Sequence, residues 1–281
     1  MMKQKTKFMI GSIVVPIFVG LLALLPWVST FFTEDVGGGS GSTNPANQCL
    51  LFDGENDLLL IPDVKAFSRS DSFTVELWVK PTAPNRNVEA LIHATAHTFD
   101  QDEAVTLNSG WMLSYRSDQR VLFLLAVNGN KGLDKKSVFI ETQLKLDKWQ
   151  HIAATYDTKD IVLYLDGEQV SSAKLDGNSV RTFDKIVIGN WAPKFKEGAF
   201  HGQIDEVRLW NYARSKEEVQ SNRFRILDVI ETGLAAYWKF DQKFGQTAPN
   251  SIAGASEGVA GLEPKRDQCD PSWVISDCPV K

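Results

Sequence analysis

Cysteine is scarce in this chain. There are three in 281 residues, Cys49, Cys269 and Cys278. No C-x-x-C occurs, and His93, His97, His151 and His201 share no spacing that would complete a zinc site. Basic charge is not in excess either. The 30 Lys and Arg face 35 Asp and Glu, for a net charge of −5, and no basic stripe runs along any segment. That balance excludes nucleic acid as an expected partner. A P-loop, a G-x-G-x-x-G and a Ser/His/Asp set are all absent. So is an internal repeat, which excludes a solenoid.

Charge is missing altogether from Phe8 to Thr33. At a rise of ~1.5 Å per residue such a run is long enough to span the ~30 Å apolar layer of a bilayer. Lys3, Lys5 and Lys7 precede it and Glu34-Asp35 follow it, which orients the N-terminus inward. The run exceeds the roughly 7–15 apolar residues of a cleavable signal peptide and lacks an A-x-A site, so residues 1–33 are read as an uncleaved signal anchor. Cleavage, which would leave a secreted protein, is the alternative. Pro16 and Pro26 are tolerable in a membrane helix. Residues 34–46 carry Gly37-Gly-Gly-Ser-Gly-Ser-Thr43, a flexible linker by composition. The remainder, residues 47–281, is expected outside the cytoplasm, where disulfides persist. Cys49 has two possible partners at the far end of the chain, Cys269 and Cys278. Cys269–Cys278 would close only a tail loop, and three unpaired thiols is the fourth option.

Strand signals recur along residues 47–281. Ser72-Phe-Thr-Val-Glu-Leu-Trp-Val79 alternates, with Phe73, Val75, Leu77 and Val79 on one face and Thr74, Glu76 and Trp78 on the other, the pattern of a half-buried strand. Trp111 to Tyr115 and Val121 to Val127 flank a turn at Ser117-Asp118-Gln119. Lys148 to Tyr156 and Ile161 to Leu165 form a second pair, closed by Asp166-Gly167, a turn that wants positive φ. Lys185 to Gly189 is a short core strand. Gly202 to Trp210 is extended, with Val207 and Leu209 sharing a face. Ser215 and Glu218 have the spacing of a capping box, so a short helix should begin after Ser215. Many short strands with one helix predict an all-β, two-sheet antiparallel sandwich.

The order of these pieces resembles the laminin G-like, concanavalin A-like jelly-roll domains of bacterial surface proteins. Leu51-Phe-Asp-Gly-Glu-Asn-Asp57 with Ile61-Pro-Asp63 is similar to that family's opening, and Ser72 to Pro81 to its first long core strand. Trp149 to Tyr156 with Leu163-Tyr-Leu-Asp-Gly167 resembles its central hairpin. Gly202 to Val219 follows in order, and Gly233 to Asp241 with Trp273 to Asp277 resembles its C-terminal extension. Cys269, Cys278 and the insertion Asp100-Gln-Asp-Glu103 depart from the pattern.

The same broad fold houses glucanases, whose E-x-D-x-x-E strand supplies two glutamates to flank one glycosidic bond. No such motif occurs. Asp205 and Glu206 are adjacent and, by strict alternation, point to opposite faces, so no catalytic residue and no enzyme activity is expected. Asp53-Gly-Glu-Asn-Asp57 gathers hard oxygen ligands on a tight turn, which suits calcium better than zinc. The resemblance implies a structural Ca²⁺ between this turn and the strand bearing Asp205, held by Asp53, Asn56, Asp57 and Asp205. A solvated polar turn is the other reading. Trp78, Trp111, Trp149, Trp210, Trp238 and Trp273 fall in framework pieces and are assigned to packing. Trp191 instead lies in a loop, where ligand contacts are commonly carried. With Asp100 and Asp102 of the acidic loop it forms the candidate ligand set. The expected role is a membrane-anchored, extracytoplasmic binding or adhesion module for carbohydrate or a cell-surface protein. An accessory subunit of a larger membrane or surface complex is the alternative.

Overall fold

A computed structural model describes residues 47–64, 67, 71–95, 110–128, 135–175, 183–191, 198–228, 231–261 and 270–280. The expected anchor (1–33) and linker (34–46), the acidic loop with Asp100 and Asp102, and Cys269 lie outside the described residues. Among the described residues no helix is long and apolar enough to cross a membrane. All of them fall in one compact unit, residues 44–281.

Among the described residues, two antiparallel sheets of eight strands each form the sandwich. The first contains β1 (Gln48–Asp53), β3 (Phe73–Pro81), β8 (Gln150–Tyr156), β9 (Asp160–Leu165), β10 (Glu168–Lys174), β12 (His201–Trp210), β13 (Leu234–Trp238) and β16 (Ser272–Ile275). Its order is β10-β9-β8-β3-β12-β1-β16, with β13 also paired to β12. The second contains β2 (Leu59–Pro62), β4 (Val88–Thr95), β5 (Trp111–Arg116), β6 (Arg120–Asn128), β7 (Lys135–Gln143), β11 (Lys185–Ile188), β14 (Thr247–Ala248) and β15 (Gly258–Ala260). Its order is β14-β15-β2-β11-β4-β5-β6-β7.

The main core lies between the sheets. Phe73, Val75, Leu77 and Val79 of β3 meet Trp111, Leu113 and Phe123 of the opposite sheet, so the alternation of β3 holds. Its burial does not follow a half-buried pattern, however. Thr74, Glu76 and Trp78 are buried as well. The reason is a second layer. The segment after β12 folds back over the outer face of the first sheet and includes α1 (Lys216–Asn222). Ser215 caps α1 as expected. Its side chain accepts from the Glu218 N–H, and its own N–H donates to the Glu218 carboxylate at 2.7 Å. Asp166 and Gly167 have φ of 52° and 84° and close the β9–β10 hairpin.

The cover is fastened by buried charge. Arg214 Nη1 lies 3.0 Å from both Glu76 oxygens, and Trp210 Nε1 donates to Glu76 Oε1 at 2.9 Å. Arg208 Nη2 donates to Glu206 Oε2 and to the Arg225 carbonyl, each at 2.7 Å, and Tyr237 OH donates to the same Glu206 oxygen. Burial alone would push the Glu76 carboxyl up, but Arg214, His151 and Arg208 beside it hold it below the usual range. His151 is buried against Trp78 and Glu76.

One expectation about β12 is corrected. A bulge between Asp205 and Arg208 breaks the alternation, and Glu206 takes φ 53°. Ile204 and Val207 both enter the core, so the two residues between them, Asp205 and Glu206, are left together on the outer side. The adjacent carboxylates therefore share a face. They are also sealed, at 0 % and 2 % exposure.

Candidate functional site

Three segments far apart in sequence converge at one end of the sandwich. The first is the β3–β4 connection, Thr82 to Asn87. Glu89, buried at the start of β4, holds it from below. Its Oε1 accepts the N–H groups of Asn85 at 2.8 Å and Arg86 at 3.2 Å, and its Oε2 accepts the His201 N–H at 3.2 Å. Burial raises the Glu89 carboxyl above its ordinary range, and these three N–H donors oppose the rise. Asn85 Nδ2 also donates to the Gly54 carbonyl at 3.3 Å.

The second is the loop that leaves β11. Its mouth is pinned on both sides, because the Gly189 N–H donates to Leu91 O and the Phe200 N–H to Gly189 O. His93 is buried with Nε2 3.2 Å from the Asn190 carbonyl. A carbonyl only accepts, so Nε2 carries the hydrogen. Burial lowers His93 to about 4, and the ring is neutral near pH 7. It therefore positions the Asn190-Trp191 backbone without charge. The Trp191 indole then lies against Gly198, which has φ +99°. A Cβ at Gly198 would come within 2.0 Å of Trp191 Nε1, so only glycine lets the ring lie there. The third segment is the β5–β6 turn, tied in by Ser117 N–H to Asn87 O at 3.2 Å.

Between them is an open groove of about 570 Å³, lined by Trp191, Asn85, Arg86, Asn87, Ser117 and Gly198 together with Pro84 and Val88. An aromatic face beside amides, a hydroxyl and one guanidinium can stack on an apolar ring face and hydrogen-bond the groups around it. Trp191 was a sequence candidate. Its neighbours at 85–87 were not, although Pro81-Thr-Ala-Pro-Asn-Arg-Asn87 is a loop-forming run between two strands and carried the available signal.

The four residues read as calcium ligands do not gather. Asp53 and Asp57 share the turn after β1: Asp57 Oδ2 accepts the Asp53 N–H at 2.8 Å, and Asp53 Oδ1 accepts the Glu55 N–H at 2.8 Å. Asn56 lies between them, half-buried. Asp205 is elsewhere. Asp53 pairs with His201 while Leu50 pairs with Ile204. Four residues at about 3.3 Å each place Asp205 roughly 13 Å farther along the strand, well beyond one ion's shell. Both its oxygens are used, by Ser276 Oγ at 2.9 Å and by the Glu206 N–H at 2.9 Å. Among the described residues no group of three or more His, Cys, Asp or Glu is placed to hold a metal ion. The expected set does not fit one calcium.

The Cys49–Cys278 pairing is not made. Both are buried thiols, with Cys49 Sγ 3.7 Å from Gln203 Oε1 and Cys278 packed with Trp78 and Val280. Burial, then the charge of Asp205, pushes Cys49 up to about 12. The six framework tryptophans pack as expected. Trp111, Trp210 and Trp238 are fully buried, Trp78 nearly so, and Trp149 and Trp273 lie partly buried against apolar clusters.

Two antiparallel sheets with crossed strand order, and a loop-built groove at one end, define a jelly-roll sandwich. Residues 53–220 match the laminin G model of the concanavalin A-like lectin/glucanases superfamily, and the chain belongs to that superfamily. Pappalysin-1 of Mus musculus is 23 % identical over 199 residues, 66 % of this chain and 12 % of the relative. Pappalysin-1 of Homo sapiens is 19 % identical over 196 residues, 67 % of this chain and again 12 % of the relative. The chain thus spans a small fraction of the curated relatives it matches. A candidate carbohydrate-binding protein from Bacteroides ovatus has the same fold, with a TM-score of 0.60 and 20 % identity. The match covers 84 % of this chain and 62 % of that one.

Proposed function

We propose that this chain is a non-enzymatic, extracytoplasmic binding module that takes a carbohydrate in the Trp191 groove. The observation that carries the reading is the convergence of one indole with Asn85, Arg86, Asn87 and Ser117 on a single open groove. Membership of a superfamily that includes lectins supports it, as does the description given to the Bacteroides ovatus protein. The superfamily also includes glucanases. Among the described residues, the adjacent carboxylates of β12, Asp205 and Glu206, are sealed under Tyr237 and Ser276, which favours binding over hydrolysis there. The uncharged run from Phe8 to Thr33 supports attachment to a membrane with the domain outside, or secretion if that segment is removed.

The test is a glycan array probed with the full chain and with Trp191→Ala. A set of glycans bound by the wild type and lost by the variant, with its melting curve unchanged, is expected. Binding that survives the substitution would overturn the placement of the site. One observation favours a second reading, a protein-contact role. Phe244 and Ile275 are 84 % and 76 % exposed, and Ile275 lies on β16 at an open sheet edge. Silence across the array together with a stable complex co-purifying from membranes would favour that role.

A further inference from the structure

Resting on the reading that residues 1–33 stay attached as a membrane anchor, we infer that the segment Asn222 to Asp228 docks on the bilayer surface, with Phe224 and Ile226 in the interfacial layer and Arg225 among the lipid phosphates. The segment follows α1 on the outer side of the first sheet. Phe224 and Ile226 are 44 % and 47 % exposed. Two large apolar side chains left open so close together mark a contact surface, which scattered single ones do not. The segment also carries Arg223 and Arg225 against Asp228 alone, a local net charge of +1 on a chain of net −5. An apolar pair with a guanidinium between suits a headgroup layer, where the long basic side chain reaches phosphate while its neighbours are buried.

The segment is held in this pose from below. Trp78 Nε1 donates to the Arg223 carbonyl at 2.9 Å. The Arg208 guanidinium donates to the carbonyls of Asn222 at 3.2 Å and of Arg225 at 2.7 Å. Both donors are buried. With these carbonyls drawn into the protein, the side chains of Phe224, Arg225 and Ile226 are left exposed. The Phe224 ring rests on Trp78, with centroids 5.4 Å apart, and the Arg223 guanidinium lies 4.3 Å from the Phe224 centroid. A surface ordered before contact loses little freedom on binding.

The occupant follows from where the chain enters the domain. The Asn47 carbonyl accepts the Ser276 N–H at 2.8 Å, and Asn47 Nδ2 donates to the Cys278 carbonyl at 3.5 Å. Cys278 packs on Trp78, and Trp78 carries Phe224. One short chain of contacts therefore joins the entry point to the exposed segment. Asp277, beside Cys278, is held by Lys80 Nζ at 2.9 Å and by the Trp149 indole at 2.6 Å, so this neighbouring acid is compensated. Residues 34–46 separate Asn47 from the uncharged run. At ~3.5 Å per residue they reach at most about 45 Å, which keeps a bilayer in reach of this surface. The Trp191 groove is at the other end of β1, where Asn85 meets Gly54. The 6 residues of β1 span about 20 Å, so docking through the Phe224 segment leaves the groove open.

The experiment places the full chain, with labelled isoleucine methyl groups, in lipid nanodiscs with and without a spin label on the lipid headgroup. Broadening of a methyl signal falls with the sixth power of its distance from the label. The Ile226 signal, assigned by its loss in Ile226→Val, should broaden about fivefold or more beyond those of Ile92 and Ile186, which are buried in the second sheet. The effect should be larger with anionic than with zwitterionic lipid, and Arg225→Gln should remove that difference. Phe224→Ser, in a variant with wild-type melting, should bring Ile226 down toward the level of the two buried residues. Ile226 broadened no more than Ile92 and Ile186 overturns the inference and leaves a protein as the occupant of the segment. Broadening that neither Arg225→Gln nor Phe224→Ser changes overturns it as well. Intact mass of the chain purified from membranes separates the two readings. A chain that keeps residues 1–33 and shows no broadening defeats the inference alone. A chain that has lost them defeats the anchor reading and this inference with it, and the saccharide reading of the Trp191 groove stands in either case.

Discussion

Replacing Arg214 by methionine removes the main partner of a carboxylate with no access to solvent. Glu76 is 0 % exposed, and the Arg214 side chain 1 %. The substitution deletes contacts at 3.0 Å to both Glu76 oxygens, a bond to the Glu218 carbonyl at 2.8 Å and the guanidinium stacked 4.1 Å from the Trp210 ring. Breaking one side of a buried ion pair costs about 3–5 kcal/mol. Glu76 keeps the Trp210 N–H at 2.9 Å and has Arg208 at 3.8 Å, so the lower end, about 3 kcal/mol, is expected. For a domain of this size that is a fall in Tm of roughly 6–12 °C. Thermal melting by circular dichroism measures it. The pH dependence has a definite sign. Arg214 helps to hold the Glu76 carboxyl below its ordinary value, so its contribution is present above the unfolded pKa and is lost as pH falls through the folded one. The gap between wild type and variant should therefore close as the medium is acidified. The double variant Glu76→Gln with Arg214→Met, which leaves no buried charge at that point, should lose less than Arg214→Met alone. A loss under 1 kcal/mol for the single variant, or a double variant worse than the single, would refute the role given to this pair.

Asp57 is expected to behave in the opposite sense. Burial, together with the charges of Asp53 and Asp270, raises it to about 7 against the backbone N–H it accepts, so its contribution to stability is greatest at low pH and is lost as pH rises from about 4 to about 7. Asp57→Asn keeps an acceptor for the Asp53 N–H and should raise Tm at pH 8, by an amount corresponding to at most about 4 kcal/mol, with little change at pH 4. Glu89→Ala frees three N–H groups and should cost about 1–3 kcal/mol in denaturant unfolding. It should also weaken ligand binding although Glu89 does not line the groove, and a variant that binds as well as wild type would show that the 85–87 loop is ordered by something else.

The parts of the fold legible in sequence are those decided locally. The Ser215–Glu218 cap, the positive-φ turn at Asp166-Gly167 and the inward face of β3 each depend on a few neighbouring residues, and each stands as read. What was not legible depends on distant partners. Nothing near Glu76 in sequence announces that Arg208 and Arg214 will bury it. Its burial follows from the chain returning over the sheet after β12. The β12 bulge likewise reverses the facing of Glu206, because one extra residue in a strand shifts every side chain beyond it to the other side. The groove was half legible. Trp191 stood out as the tryptophan in a loop, while its companions at 85–87 and 117 come from two other loops, and only the strand order β11-β4-β5-β6 brings them beside it. The calcium set failed for the related reason that a shared strand pair does not give a shared register.

The most direct test of the central claim is to follow the indole N–H resonances of the chain in two-dimensional NMR during titration with a saccharide found on the array. The account predicts that the Trp191 signal, assigned by its loss in Trp191→Ala, shifts with ligand in a saturable way while those of Trp111, Trp210 and Trp238 stay in place. Saturable binding that leaves Trp191 unmoved, or that moves the buried tryptophans instead, would contradict it.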